Sequence, residues 1–181
     1  MIAAMTSISR RWRADRRGTA LIEFAIVLPS MLLLFLGGYQ MSDASACKRK
    51  VTITARALAD MTSQYTTMSQ AEADTVLAAS VQIMAPYNVA NAHVRVSEIT
   101  MTGNGKNGPK IVWSRAQNAV PRVVGSVVTE FPPSLRNKGD TYILAEISYD
   151  YNANLGTLIP PVSFVQTLYM LPRKSATVDL T

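Results

Sequence analysis

From Thr19 to Tyr39 the chain runs through 21 positions with a single charge, Glu23, and nothing else in its 181 residues constrains the fold as strongly. Wound as a helix at about 1.5 Å per residue, this run reaches roughly 31 Å, close to the ~30 Å of a bilayer's hydrocarbon. It has the length and composition of one membrane crossing. Pro29 withdraws a backbone donor near its middle and Gly37-Gly38 lies at its far end, so a bend or local melting is expected around Ala25–Pro29. The remaining length allows one domain of ordinary size.

The formal charge of +6 is unevenly spread. Met1–Gly18 carries Arg10, Arg11, Arg13, Arg16 and Arg17 against Asp15, a charge of +4 that leaves +2 for everything downstream. The basic character therefore belongs to a leader and is no footprint of nucleic-acid binding. Arginines ahead of an apolar run hold the N-terminus in the cytoplasm and send the downstream chain outside, and Trp12 among them suits the interface. Cys47 is the only cysteine, so no intrachain disulfide can form and the core has to hold the domain together.

Three kinds of N-terminal segment fit these residues. A cleaved secretory signal would use Ala44-Ser45-Ala46, yet the apolar run exceeds the usual 7–15 residues and Asp43 separates it from that site. A lipoprotein cut before Cys47 fits less well, because Ala44 stands where such sites want Leu. An uncleaved anchor would leave Glu23 to snorkel or to sit protonated about one turn inside the interface. A cut between Gly18 and Thr19 gives Glu23 a partner instead. The new α-amine of Thr19 would lie four residues before it, one helical turn away on the same face. Amine and carboxylate neutralise each other, within a subunit or between neighbours, where an unpaired charge is costly. The first turn of a helix also favours a carboxylate.

Arg16-Arg17-Gly18, a cut, and an apolar helix with Glu at the fifth mature position resemble the class III signal of type IV pilins and pseudopilins. More narrowly, Gly18–Pro29 with the leucine-rich stretch after it is similar to TadE/TadG-like proteins of tight-adherence (Flp) pili. A weaker likeness covers Ala145–Tyr151, the link through Pro160-Pro161, and Val165–Arg173, which are similar to that family's closing strands. The resemblance implies a minor pilin or pseudopilin-like structural component. Prepilin peptidase would cut after Gly18, Thr19 would start the mature chain and Glu23 would pair helices. The implied partners are the inner membrane, other pilins or pseudopilins and the pilus assembly platform, with the C-terminal domain in the periplasm. An uncleaved single-pass envelope scaffold is the alternative.

Beyond the span, Gln40 to about Thr67 has few breakers and reads as a continuation of the same helix. Met41, Ala44, Val51, Ala55, Leu58, Thr62 and Tyr65 form its stripe, which Lys48 interrupts. Lys48-Arg49-Lys50 reads as a solvated face more readily than as a phospholipid contact. Ser69-Gln-Ala-Glu72 is a capping box opening a second helix through Met84, with Val76, Leu77, Val81 and Met84 as its buried side and Pro86 as its stop. Strands are predicted at His93–Met101 and Lys110–Arg115, joined by a turn at Gly103–Pro109, then at Tyr142–Tyr151 and Phe164–Leu171, with a short extended piece at Val127–Phe131. The sum is an α+β fold, with a long N-terminal helix running into a domain that has a second helix and an antiparallel sheet of about four strands. The chain divides into a basic leader (1–18), a transmembrane helix (19–39), a helical extension (40–68) and an extracytoplasmic α+β domain (69–181).

Catalytic chemistry finds little support. The Gly103–Pro109 turn lacks the Gly-Lys-Ser/Thr ending of a phosphate loop and opens no helix. His93 and Cys47 fall on different predicted elements without the further ligands a metal needs, and no Gly-x-Ser-x-Gly elbow occurs. Glu146 and Asp150 share one face of a strand and read as a solvated sheet face rather than an acid/base pair. Tyr142, Tyr149 and Tyr151 read as strand core. No catalytic residue, metal or cofactor is expected.

Overall fold

The computed structural model describes residues 17–101, 108–137, 139–153 and 160–181. Helix α1 spans Arg17–Ser63 without interruption. The local melting expected around Ala25–Pro29 is not seen: the helix continues through Pro29, and beside it the Ser30 hydroxyl donates to the Val27 carbonyl at 2.7 Å. At its other end α1 stops at Ser63, and Thr67-Met68 form a two-residue strand, β1. Helix α2, Gln70–Gln82, opens on the predicted capping box: Ser69 accepts from the Glu72 amide and the Glu72 carboxylate accepts from the Ser69 amide.

Four strands come next as β2 (Ala92–Thr100), β3 (Lys110–Gln117), β4 (Thr141–Tyr151) and β5 (Val162–Met170). They pair antiparallel in the order β3-β2-β4-β5. The piece expected at Val127–Phe131 contributes one bridge, Val127 to Lys110, and no named strand. A register shift between Glu98 and Ile99 sets Glu98 opposite Trp113 and Ile99 opposite Ile111. The extra residue of a bulge turns successive side chains out of strict alternation. Here it sends Glu98 and Trp113 to one core while Ile99 and Ile111 join the other. The predicted turn between β2 and β3 lies mostly outside the described residues.

The sheet is covered on both faces. Cys47, Val51, Ala55, Leu58 and Ala59 of α1 and Ala73, Val76, Leu77 and Val81 of α2 pack over Val94, Val96, Ile143, Ala145 and Ile147. Met84 completes the predicted side of the second helix, fully buried. On the other face Ile99, Met101, Ile111, Tyr142 and Leu144 meet Val128 and Phe131 from the connection between β3 and β4. The last strand, β6 (Asp179-Leu180), runs parallel to β1. Val178 just before it is fully buried. Its carbonyl accepts from the Trp113 indole at 2.6 Å, its amide donates to Glu98 at 3.1 Å, and the same indole donates to Glu98. Burial pushes the Glu98 carboxyl up from its ordinary range even though two donors hold its charged form.

Candidate membrane-anchoring and assembly segment

The N-terminal half of α1 stands clear of the domain. Every residue from Gly18 to Phe35 is exposed, including Leu21, Ile22, Phe24, Ile26, Leu34 and Phe35 at 61% or more. A water-soluble fold does not leave such a continuous apolar surface uncovered. Among the described residues this is the one helix long and apolar enough to cross a membrane. Gly18, Thr19 and Glu23 lie together in its first turns, exposed and far from the sheet in sequence. The structure thus puts the three expected site residues on one short stretch, with Thr19 and Glu23 one turn apart.

Gln40 is the first fully covered residue of α1, at 1% exposure. One turn later Asp43 is gripped by two tyrosines. The Tyr151 hydroxyl donates to one carboxylate oxygen at 2.7 Å, and the Tyr87 hydroxyl reaches the other at 2.9 Å and the Asp43 carbonyl at 3.0 Å. Burial, then the Asp43 carboxylate, pushes both phenols well above their ordinary range, so both stay protonated donors. Tyr87 also meets Tyr149 and Tyr151 edge to face, at centroid separations of 6.1 and 6.5 Å. This clamp fixes the direction in which the bare helix leaves the domain. Along the sequence Asp43 reads only as a spacer and Tyr151 only as core. The one signal there is a lone acid among small residues just beyond a span. Below the clamp Cys47 is fully covered, and burial with the Asp43 charge pushes its thiol up to about 11. It is an inert packing group, on the helix side of the sheet.

His93 lies on the opposite face, its ring between the Asn118 carbonyl and Asp150, the latter at 3.4 Å. Beside it Glu146 takes Arg122 at 2.6 and 2.8 Å and Arg95 at 3.2 Å. Arg95 also donates to the Val120 carbonyl, and the Arg122 amide donates to Ser114. These contacts fasten the connection after β3 onto the sheet. Glu146 is therefore held by two guanidinium groups, and Asp150 faces the His93 ring. A cleft of about 240 Å³ lies beside Glu146, lined also by His93, Arg95, Ser148 and Val165. Among the described residues no group of three or more His, Cys, Asp or Glu is placed to hold a metal ion.

The chain matches no curated protein and no solved structure. Residues 18–60 match the family model described as TadE-like protein. The match starts at Gly18 and ends one turn short of the end of α1, so it covers the bare apolar helix, the Asp43 turn and most of the rib buried against the sheet. Over its long N-terminal helix the chain is thus similar to the TadE-like family.

Proposed function

We propose that the protein is a minor pilin or pseudopilin-like structural component in the assembly of a tight-adherence pilus. The observation that carries this reading is one unbroken helix whose first half is bare, apolar and acidic only at Glu23, and whose second half is the core of a folded domain. In this reading the N-terminus lies in the cytoplasm, the helix crosses the inner membrane and the α+β domain stands in the periplasm. Prepilin peptidase cuts after Gly18, and the α-amine of Thr19 pairs with Glu23 within the chain or with Glu23 of a neighbouring pilin. Low-dielectric surroundings make that pairing matter, since a lone carboxylate there is costly.

The mass of the membrane-bound protein, from cells with an active prepilin peptidase, tests the processing. A chain beginning at Thr19 is expected; an intact leader, with the protein found in membranes and never in sheared filaments, selects the uncleaved envelope scaffold. Glu23→Ala is expected to leave insertion unchanged and to cut pilus assembly by at least tenfold. Normal filament yield from that variant would remove the pairing role.

A further inference from the structure

Lys48, Arg49 and Lys50 form a basic half-collar with no ion-pair partner among the described residues. Cys47 and Val51 face the sheet, so at about 100° per residue the three side chains fan around the rest of α1, with Arg49 opposite the domain. Lys48 and Arg49 are exposed and Lys50 is half-buried. The ion pairs among the described residues join His93, Arg95, Arg115, Arg122 and Arg173 to acids and involve none of the three. The nearest acid along the helix, Asp43, is taken by Tyr87 and Tyr151.

The height of this collar is set by the helix itself, given the membrane-spanning reading above on which this inference rests. The long run of exposed apolar residues ends at Tyr39 and Met41, with Ile53 exposed singly farther along α1, and Gln40 is already covered by the domain, so the hydrocarbon boundary falls near Tyr39. Lys48 is nine residues on, a rise of roughly 13 Å. Side chains on a helix lean toward its N-terminus, here toward the membrane, and a lysine stem extends roughly 6 Å. Its ammonium then stands roughly 7 Å above the hydrocarbon, at the outer limit of a headgroup layer roughly 5–7 Å thick. Arg56, also exposed, is two turns higher and out of reach.

We propose that Lys48, the member of this basic half-collar nearest the membrane, binds the phosphate of anionic phospholipids in the outer face of the membrane that the helix crosses, and so sets the height and tilt of the domain above it. Lipid phosphate fits that position: it is anionic, it is at the level of the Lys48 ammonium, and it surrounds a helix on every side that the domain leaves open.

The test is amine footprinting of the full chain in vesicles. The chain is reconstituted into phosphatidylcholine alone and into phosphatidylcholine with about a third phosphatidylglycerol, and acetylation rates are read by mass spectrometry. Lys48 is expected to react at least threefold more slowly in the anionic vesicles and to recover at high salt, where screening shortens the reach of the charge. Lys174, exposed at the far end of α1 beside Met61 and Gln64, should react alike in both. Equal Lys48 rates in the two membranes, or a slowing shared by Lys174, would overturn the proposal while leaving the span in place. Failure of the chain to float with either vesicle would overturn the span and the proposal together.

Discussion

At the scale of single residues, the most informative group is Glu146. Its side chain is 17% exposed and touches two guanidinium groups. Burial alone would raise its pKa, but the Arg122 hydrogen bonds and charge, helped by Arg95, outweigh burial and hold the carboxyl below its ordinary range. A carboxyl depressed by folding binds its proton less tightly in the folded chain, so its stabilisation is complete above the ordinary value of about 4.3. It is lost as pH falls through the lower folded value. Glu146→Gln is therefore expected to cost about 2 kcal/mol at neutral pH, and the gap from the parent should close below about pH 4. Urea unfolding of the full chain in detergent across that range measures it. Tyr151→Phe removes one hydrogen bond to the Asp43 carboxylate and is expected to cost about 1.5 kcal/mol. Faster amide exchange around Gln40–Cys47, with the sheet unchanged, would report the same loss locally. Asp43 and Glu146 are visible as acids in the sequence, yet their partners come from positions more than 20 residues away and no periodicity points to them.

At the scale of elements, local chemistry decided what short-range physics can decide. The Ser69–Glu72 box sets the start of α2 because its donors and acceptors are three residues apart and meet as soon as the turn forms. Ser69→Ala is expected to cost about 1 kcal/mol, read as a lower urea midpoint with unchanged slope. The strand runs were legible from alternation to within two residues at each end. The bulge at Glu98 was not, and neither were β1 and β6, since two-residue strands carry no period. The helix stripe was legible in part: Cys47, Thr54 and Ala59, all fully covered, also belong to it, while Met41, 64% exposed, and Tyr65, beyond the end of α1, do not. Pro29 has the chemistry of a helix breaker, but α1 passes through it without melting.

At the scale of the whole molecule, α1 serves two solvents. Its first half presents side chains outward to the surroundings, and its second half buries them against the sheet. On the proposed membrane-spanning reading, these halves draw their stability from different sources, one from lipid and one from the domain core. Leu58→Ala, at a fully covered position between α1 and the sheet, is expected to cost the domain about 2–5 kcal/mol. Flotation of the chain with vesicles should not change, because the apolar half has no side chain in that core. A variant that loses both together would show that the two halves do not fold independently.

The sequence by itself determined the apolar run, its single acid, the uneven charge of the leader, the capping box and the α+β order of elements. All of these depend on neighbours within one or two turns or on composition, and both are written along the chain. Only the tertiary structure decided where the long helix stops being bare and becomes core, because that boundary is set by Tyr87 and Tyr151 reaching Asp43 across 44 and 108 residues. It also decided that the tail from Val178 onward closes the fold through Trp113 and Glu98. Contacts of that separation depend on which surfaces the packed elements bring together, and a one-dimensional pattern does not carry that information.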